Sequence, residues 1–264
     1  MRLKDKIAIV VGGGQTPGET IGNGRAAAIL FAREGASVLV VDRDLASAEE
    51  TVAMIIEEGG TASTFQANIC NEAECKGFAS ACVERYGRID ILQNNVGIGT
   101  GDRGPMSLDA EIWDNIMEVN LKGTFLSCKH VLPYMRERKS GAIVNVSSGA
   151  AVMSVGIVGY KVSKAGVNAL THAIAMGNAN HGIRANVVMP GLLDTPMAIE
   201  SHSSARGMDR EHLRNERNAA VPLNKKMGTA WDTAHASLFL ASDEAGFITG
   251  AVLPVDGGQA ARIG

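Results

Sequence analysis

The chain alternates between short apolar runs and longer amphipathic stretches, and that alternation leaves little choice of fold. Residues 6–12 (KIAIVVG) are apolar without a break, the pattern of a strand covered on both faces. Residues 22–34 follow as an Ala-rich amphipathic helix, stopped by Gly35. The same rhythm predicts further strands at 37–42, 61–67, 89–93, 141–146, 183–189 and 249–255, and helices at 45–58, 71–86, 109–118, 120–138, 157–180 and 229–240. Asp44 is placed to cap the second helix. Strand alternating with helix implies an α/β fold, a doubly wound, Rossmann-type parallel sheet of seven strands with helices on both faces. No linker, repeat or low-complexity stretch divides the chain, so 1–264 reads as a single domain. Only 194–226 is polar and weakly periodic, and it is expected to act as a lid within that domain.

Composition narrows the function. A formal net charge of −3 leaves no basic excess for nucleic acid and no polybasic patch for a lipid surface. No apolar run reaches the ~18 residues of a membrane span. The N-terminal residues run straight into the first strand, leaving no room for a signal peptide. The four cysteines (70, 75, 82 and 128) form no C-x-x-C pair, and the six histidines are scattered. We expect reduced thiols, a cytoplasmic protein and no metal site.

Three features carry chemistry. The first strand ends in Gly12-Gly13-Gly14, and a helix starts near Gly22-Asn23-Gly24. Glycines at that junction let the backbone approach a pyrophosphate held at the helix N-terminus. The turn is placed on Gly12, Gly22 and Gly24, with 13–21 as an inserted lobe of open function. Asp42 ends the second strand, where an acid can bind both hydroxyls of an adenosine ribose and repel a 2′-phosphate. NAD is therefore expected in preference to NADP, with Arg43 able to soften that preference. Third, Tyr160 and Lys164 stand four apart, one turn of helix, so a cation lies beside a phenol whose free pKa is near ~10. That neighbour favours the phenolate and brings the phenol toward a working general acid/base.

With Asn94-Asn95-Val96-Gly97, Asn120 in Glu-Val-Asn-Leu, Ser147-Ser148, Pro190-Gly191 and Asp256-Gly257-Gly258, these features resemble the short-chain dehydrogenase/reductase family along essentially the whole chain. The resemblance implies Tyr160 as general acid/base, Lys164 tuning it and holding the nicotinamide ribose, and a serine bonded to the substrate oxygen. It implies that Asn120 holds a water linked to Lys164 and that Asn94 supports the cofactor-side strand. The backbone near Leu193 would meet the carboxamide, with Thr195 nearby. Asn68-Ile69 stands where the family has Asp-Val beside the adenine, and an amide can still hydrogen-bond there. The family's usual distance to the tyrosine selects Ser147. Position after the fifth strand selects Ser148, which we favour because a loop deletion is easier than a register shift in a buried strand. The implied reaction moves a hydride between NAD and a secondary alcohol or ketone. Alternatives are an NADPH-dependent carbonyl reductase, using Arg25 or Arg43 for the phosphate, and a non-catalytic dinucleotide-binding protein.

The pocket is expected between 98–107, 149–156 and 194–224. The last stretch carries Glu200, His202, Arg206, Arg210, Arg214 and Arg217, read as a solvated face. The partner is a small-molecule alcohol or ketone, not nucleic acid or membrane. Family analogy adds a homotetramer, with 109–138, 157–180 and 251–264 as interfaces.

Overall fold

The computed structural model describes residues 1–262; residues 263–264 and the side chain of Arg206, which fall in segments singled out above, lie outside the described residues. In chain order the first half comprises β1 (Ile7–Val11), α1 (Asn23–Arg33), β2 (Ser37–Asp42), α2 (Leu45–Glu57), β3 (Thr61–Gln66), α3 (Glu72–Tyr86), β4 (Ile91–Asn94) and α4 (Ala110–Met117). There follow α5 (Gly123–Arg138), β5 (Gly141–Val146), α6 (Gly159–Asn178), β6 (Ile183–Pro190), β7 (Leu193–Asp194), α7 (Pro196–Arg206), α8 (Arg210–Ala220), β8 (Gly228–Thr229), α9 (Ala230–Ala241) and β9 (Val252–Val255). Seven strands form one parallel sheet in the order β3-β2-β1-β4-β5-β6-β9.

The chain begins mid-sheet, winds outward to β3, then returns to place β4 beside β1. That reversal opens a crevice beyond the carboxyl ends of β1 and β4, the place where such sheets bind ligands. Both faces are covered, which is why β1 carries no polar residue: all five of its side chains are buried. On one face Ala26, Ala27, Ala28 and Phe31 of α1 pack with Ala234 and Leu238 of α9. Small residues on α1 let it approach the sheet closely. On the other face Phe78 and Cys82 of α3 meet Val131 and Met135 of α5. Across the sheet centre a polar chain interrupts this core. Asn94 Nδ2 donates to Asn145 Oδ1 at 2.8 Å, Asn145 Nδ2 donates to Thr171 Oγ1 at 2.9 Å, and all three residues are buried.

The elements match their sequence signals closely, Asp44 included: it accepts from the N–H of Ser47 at 3.3 Å. Two expectations need correcting. Helices 109–118 and 120–138 are not separate, because a π-helical turn, Glu118–Lys122, carries α4 straight into α5. No Gly or Pro separates them, and the extra residue is absorbed as a wide turn. The stretch 194–226 is more ordered than its periodicity suggested. Pro196 at the first position starts α7, and Gly207 at φ +59° ends it. Asp209 caps α8 by accepting from the N–H groups of Glu211 and His212, both at 3.0 Å. A two-stranded parallel pair, β7 with β8, closes this segment onto the main body. Ile199, Leu213, Val221 and Met227 form a small core of their own beneath it.

Among the described residues no helix is long and apolar enough to cross a membrane. All four cysteines are free thiols. Burial pushes Cys75 up to about 11, and Cys82 and Cys128 up to about 12. Native protein should therefore yield one slowly reacting thiol, Cys70, to an aromatic disulfide reagent, and the other three only after unfolding.

Candidate active site

The crevice is lined first by the β1–α1 junction. Gly12 has φ +74°, and a Cβ on Gly24 would fall 1.8 Å from the carbonyl oxygen of Gly12. Strand end and helix start thus touch backbone to backbone, which only glycine at 24 permits. The N-cap residue of α1 is Gly22, no side chain caps its first turn, and no acidic residue lies there. That leaves amide N–H groups and the positive end of an 11-residue helix facing the crevice. Asn23 is fixed through its Oδ1, which accepts from Thr233 Oγ1 at 3.0 Å.

The inserted lobe is stitched down at both ends. Gly14 N–H donates to Asp42 Oδ2 at 2.9 Å, and Gln15 N–H donates to Ser47 Oγ at 2.9 Å. Gln15 Oε1 then accepts the N–H of Gly22 at 2.9 Å, closing the loop on itself. Between these ties Gly18 lies against Pro196 and Glu200 of α7. Glu19 pairs with Arg214 at 2.9 Å and with Arg210 at 3.5 Å, both on α8. Arg210 also meets Glu200 at 2.7 Å, and Arg214 meets Asp194 at 3.5 Å. These charges therefore pair with one another across the lobe and the 194–220 segment, where a merely solvated face was expected.

Asp42 reaches the crevice rim with one oxygen on Gly14 N–H and the other accepting from Asp44 N–H at 3.1 Å. Each oxygen keeps a further lone pair. Arg25 is 4% exposed and tied to α2: Nε donates to Thr51 Oγ1 at 2.9 Å, and Nη2 pairs with Glu50 at 2.8 Å. Asn68 is exposed, its Oδ1 accepting from Cys70 N–H at 3.1 Å, while Ile69 is buried against Gly123. Asn94 turns into the core rather than toward the crevice. Leu193 and Thr195 are buried at the start of the β7–α7 segment.

Helix α6 brings Tyr160 and Lys164 to the mouth of the crevice. Lys164 is buried, and its Nζ donates to Val146 O at 3.0 Å and Val96 O at 3.2 Å. The ammonium lies 5.8 Å from the centre of the Tyr160 ring. Burial pulls it down to about 8. Burial pushes the Tyr160 phenol up, and a hydrogen bond from Ser148 pulls it back down. The two serines divide the work: Ser148 turns to Tyr160, whereas Ser147 is buried and donates to Lys164 O at 3.0 Å. Asn120, in the π-turn, accepts from Ile98 N–H at 2.7 Å and donates to Ile98 O at 2.9 Å and Ser163 Oγ at 3.0 Å. It pins the 97–99 loop and makes no direct bond to Lys164. Asp102, which sequence reasoning passed over, accepts the N–H groups of Gly159 and Tyr160. Among the described residues no three His, Cys, Asp or Glu side chains converge on a metal-holding point.

A doubly wound sheet with a glycine-lined crevice at its switch point defines a Rossmann-type protein. Residues 19–260 match the family model described as enoyl-(acyl carrier protein) reductase. Levodione reductase of Leifsonia aquatica is 35% identical over 265 residues, covering 98% of this chain and 96% of that protein. The crystal structure of levodione reductase matches with a TM-score of 0.93 at 34% identity, over 99% of this chain and 100% of the other. A 7alpha-hydroxysteroid dehydrogenase of Clostridium sardiniense is 36% identical over 263 residues, 98% of this chain and 95% of that one. A Burkholderia xenovorans crystal structure classed with short-chain dehydrogenases/reductases matches at TM-score 0.93 and 42% identity, covering 100% and 99% of the two chains. The chain belongs to the short-chain dehydrogenase/reductase family of oxidoreductases, which use NAD or NADP.

Lys164 offers a test of its burial. Its folded value, about 8, lies below the 10.5 of a free lysine, so the unfolded chain binds more protons between those values. Stability then rises with pH through that window. In cofactor-free protein, urea unfolding should show wild type gaining stability relative to Lys164→Met between pH 8 and 10.5, and no relative change below pH 7.

Proposed function

We propose that the protein is an NAD-dependent oxidoreductase that moves a hydride between the nicotinamide and a secondary alcohol or ketone. The observation that carries this reading is the Tyr160 phenol with Ser148 on one side and the buried Lys164 ammonium one helical turn deeper, at the mouth of a dinucleotide crevice.

The residues present fit the cofactor. The uncapped N-terminus of α1, at Gly22, Asn23 and Gly24, suits a pyrophosphate, and the Gly12–Gly24 contact keeps side chains out of its way. Asp42, already oriented by two backbone N–H groups, can accept from ribose hydroxyls. Asn68 and Ile69 would flank the adenine, and Leu193 and Thr195 the carboxamide. Lys164 has two of its three ammonium donors on carbonyls and a third for the nicotinamide ribose. Arg25, the buried candidate for a 2′-phosphate, is committed to Glu50 and Thr51, which supports NAD. The bound nicotinamide supplies the hydride donor or acceptor.

The chain's own groups handle the proton. Raised by burial, the Tyr160 phenol is protonated at neutral pH and donates to a carbonyl oxygen in reduction. In oxidation the phenolate form, which the Lys164 charge favours, receives the hydroxyl proton and becomes the phenol. Ser148 donates to the substrate oxygen as charge develops there. Asn120 holds the loop that faces them. We place the 194–226 segment over the substrate as a lid within one 1–264 domain. Phe125 on α5 and Val162 and Met176 on α6 are exposed apolar residues suited to assembly into a cytoplasmic homotetramer.

Calorimetric titration tests the cofactor: NAD(H) should bind more tightly than NADP(H), and Asp42→Ala should erase that difference. Tighter NADPH binding would overturn the Asp42 argument and point to a carbonyl reductase. Tyr160→Phe should lower kcat by about 10²–10⁴ in a screen of secondary alcohols and ketones. Turnover indistinguishable from wild type would reject the assigned acid/base.

A further inference from the structure

Tyr160 is the second residue of α6, in the turn of a helix most prone to fraying. That turn has no cap of its own. The N-cap position is Val158, an aliphatic residue at φ −114°, ψ −41°, and no acidic residue lies in the first turn. An N-cap side chain reaches its N–H groups from extended backbone, which Val158 does not adopt. The orphan donors are satisfied from elsewhere. Asp102 Oδ2 accepts from Tyr160 N–H at 2.7 Å, and Asp102 Oδ1 accepts from Gly159 N–H at 3.0 Å, across more than fifty residues of chain. Oδ1 also accepts from Arg103 N–H at 2.8 Å, which fixes the carboxylate on its own loop.

That loop is itself anchored. Asp102 N–H donates to Gly99 O at 3.2 Å, and Val158 N–H donates to Arg103 O at 3.1 Å. Ile98 is held at both its N–H and its C=O by Asn120. Gly99 lies against the Tyr160 side chain, where a Cβ would come within 3.3 Å of Cδ2. A continuous run, Asn120 to Ile98 to Gly99 to Asp102, therefore grips Tyr160 by its backbone and its ring. Lys164 is anchored independently through Val96 and Val146.

Resting on the acid/base role given to Tyr160 above, we propose that Asp102 is a positioning residue: it caps α6 from outside the helix and so holds the Tyr160 phenol in register with Ser148. Two N–H groups on one carboxylate at a helix N-terminus are charge-assisted bonds, stronger than the amide or hydroxyl caps helices usually carry. Removing them lets the first turn fray and the phenol wander, while the Lys164 end of the site stays fixed.

The test uses the full chain with Asp102→Ala and Asp102→Asn beside Tyr160→Phe. A displacement of about 1 Å at a reacting group costs about 10²-fold, so Asp102→Ala should lose kcat on that scale with dinucleotide affinity unchanged. Asp102→Asn keeps one acceptor oxygen and should fall between. Independent of turnover, the chain has three tyrosines, so the ¹³Cζ signal of Tyr160 can be assigned with Tyr160→Phe and titrated. In Asp102→Ala that signal and its titration midpoint should shift, with Tyr86 and Tyr134 unmoved. If Asp102→Ala does not fold, Asp102→Asn is read in its place. Wild-type kcat together with an unmoved Tyr160 signal overturns the proposal. Movement of all three tyrosine signals, with loss of dinucleotide binding, overturns it in favour of general destabilisation. If Tyr160→Phe turns over like wild type, the functional reading falls, and the Tyr160 signal in Asp102→Ala still decides whether Asp102 places the ring.

Discussion

One buried ammonium organises the mouth of this crevice. Lys164 Nζ spans from the last residue of β5 to the loop beyond β4, donating to the carbonyls of Val146 and Val96. A charge in such a place is costly to bury, which is why its pKa falls to about 8. It is tolerated because both carbonyls lie at strand ends, where the ladder no longer uses them. The consequence is geometric: the ends of two neighbouring strands, the helix that crosses them and the loop carrying Ile98 and Gly99 share one fixed point. Tyr160, Ser148 and Asn120 are each placed relative to that point through short backbone links.

Much of this was legible in the chain. A strand buried on both faces must be apolar throughout, so Ile7–Val11 announces itself, and the regular alternation with helices then dictates a parallel sheet. Asp42 was readable because a strand end is a fixed position, and Tyr160/Lys164 because helical spacing puts four-apart residues on one face. The inserted lobe was also visible, as excess length between Gly12 and Gly22.

What escaped were features that depend on distant partners. Asn120 sits in a π-turn, and nothing local marks that turn, since its side chain is satisfied by Ile98 rather than by its own helix. Asp102 was passed over, although an uncapped helix start at Val158 was a signal that some outside group must serve it. The arginines of α8 read as a solvated face because their pairing with Glu19 joins segments nearly two hundred residues apart. The caps of α7 and α8 were present in the sequence, at Pro196, Gly207 and Asp209, but apolar periodicity there was too thin to draw attention to them.

The amide chain through the sheet centre has a consequence for how the strands find one another. Parallel strands rich in Ile, Val and Leu are nearly interchangeable along their length, and each could slide by a residue or two against its neighbour at small loss of apolar contact. Asn94 and Asn145 face each other in register, and Asn186 bonds in the same manner to the 248–251 stretch beside β6. Slide β5 by one position and two amides are stranded in hydrocarbon, each without a partner, at a cost of roughly 1–3 kcal/mol apiece. Two asparagine contacts thus work as notches on otherwise smooth rails, admitting a single alignment of the strand ends on which Lys164 later rests.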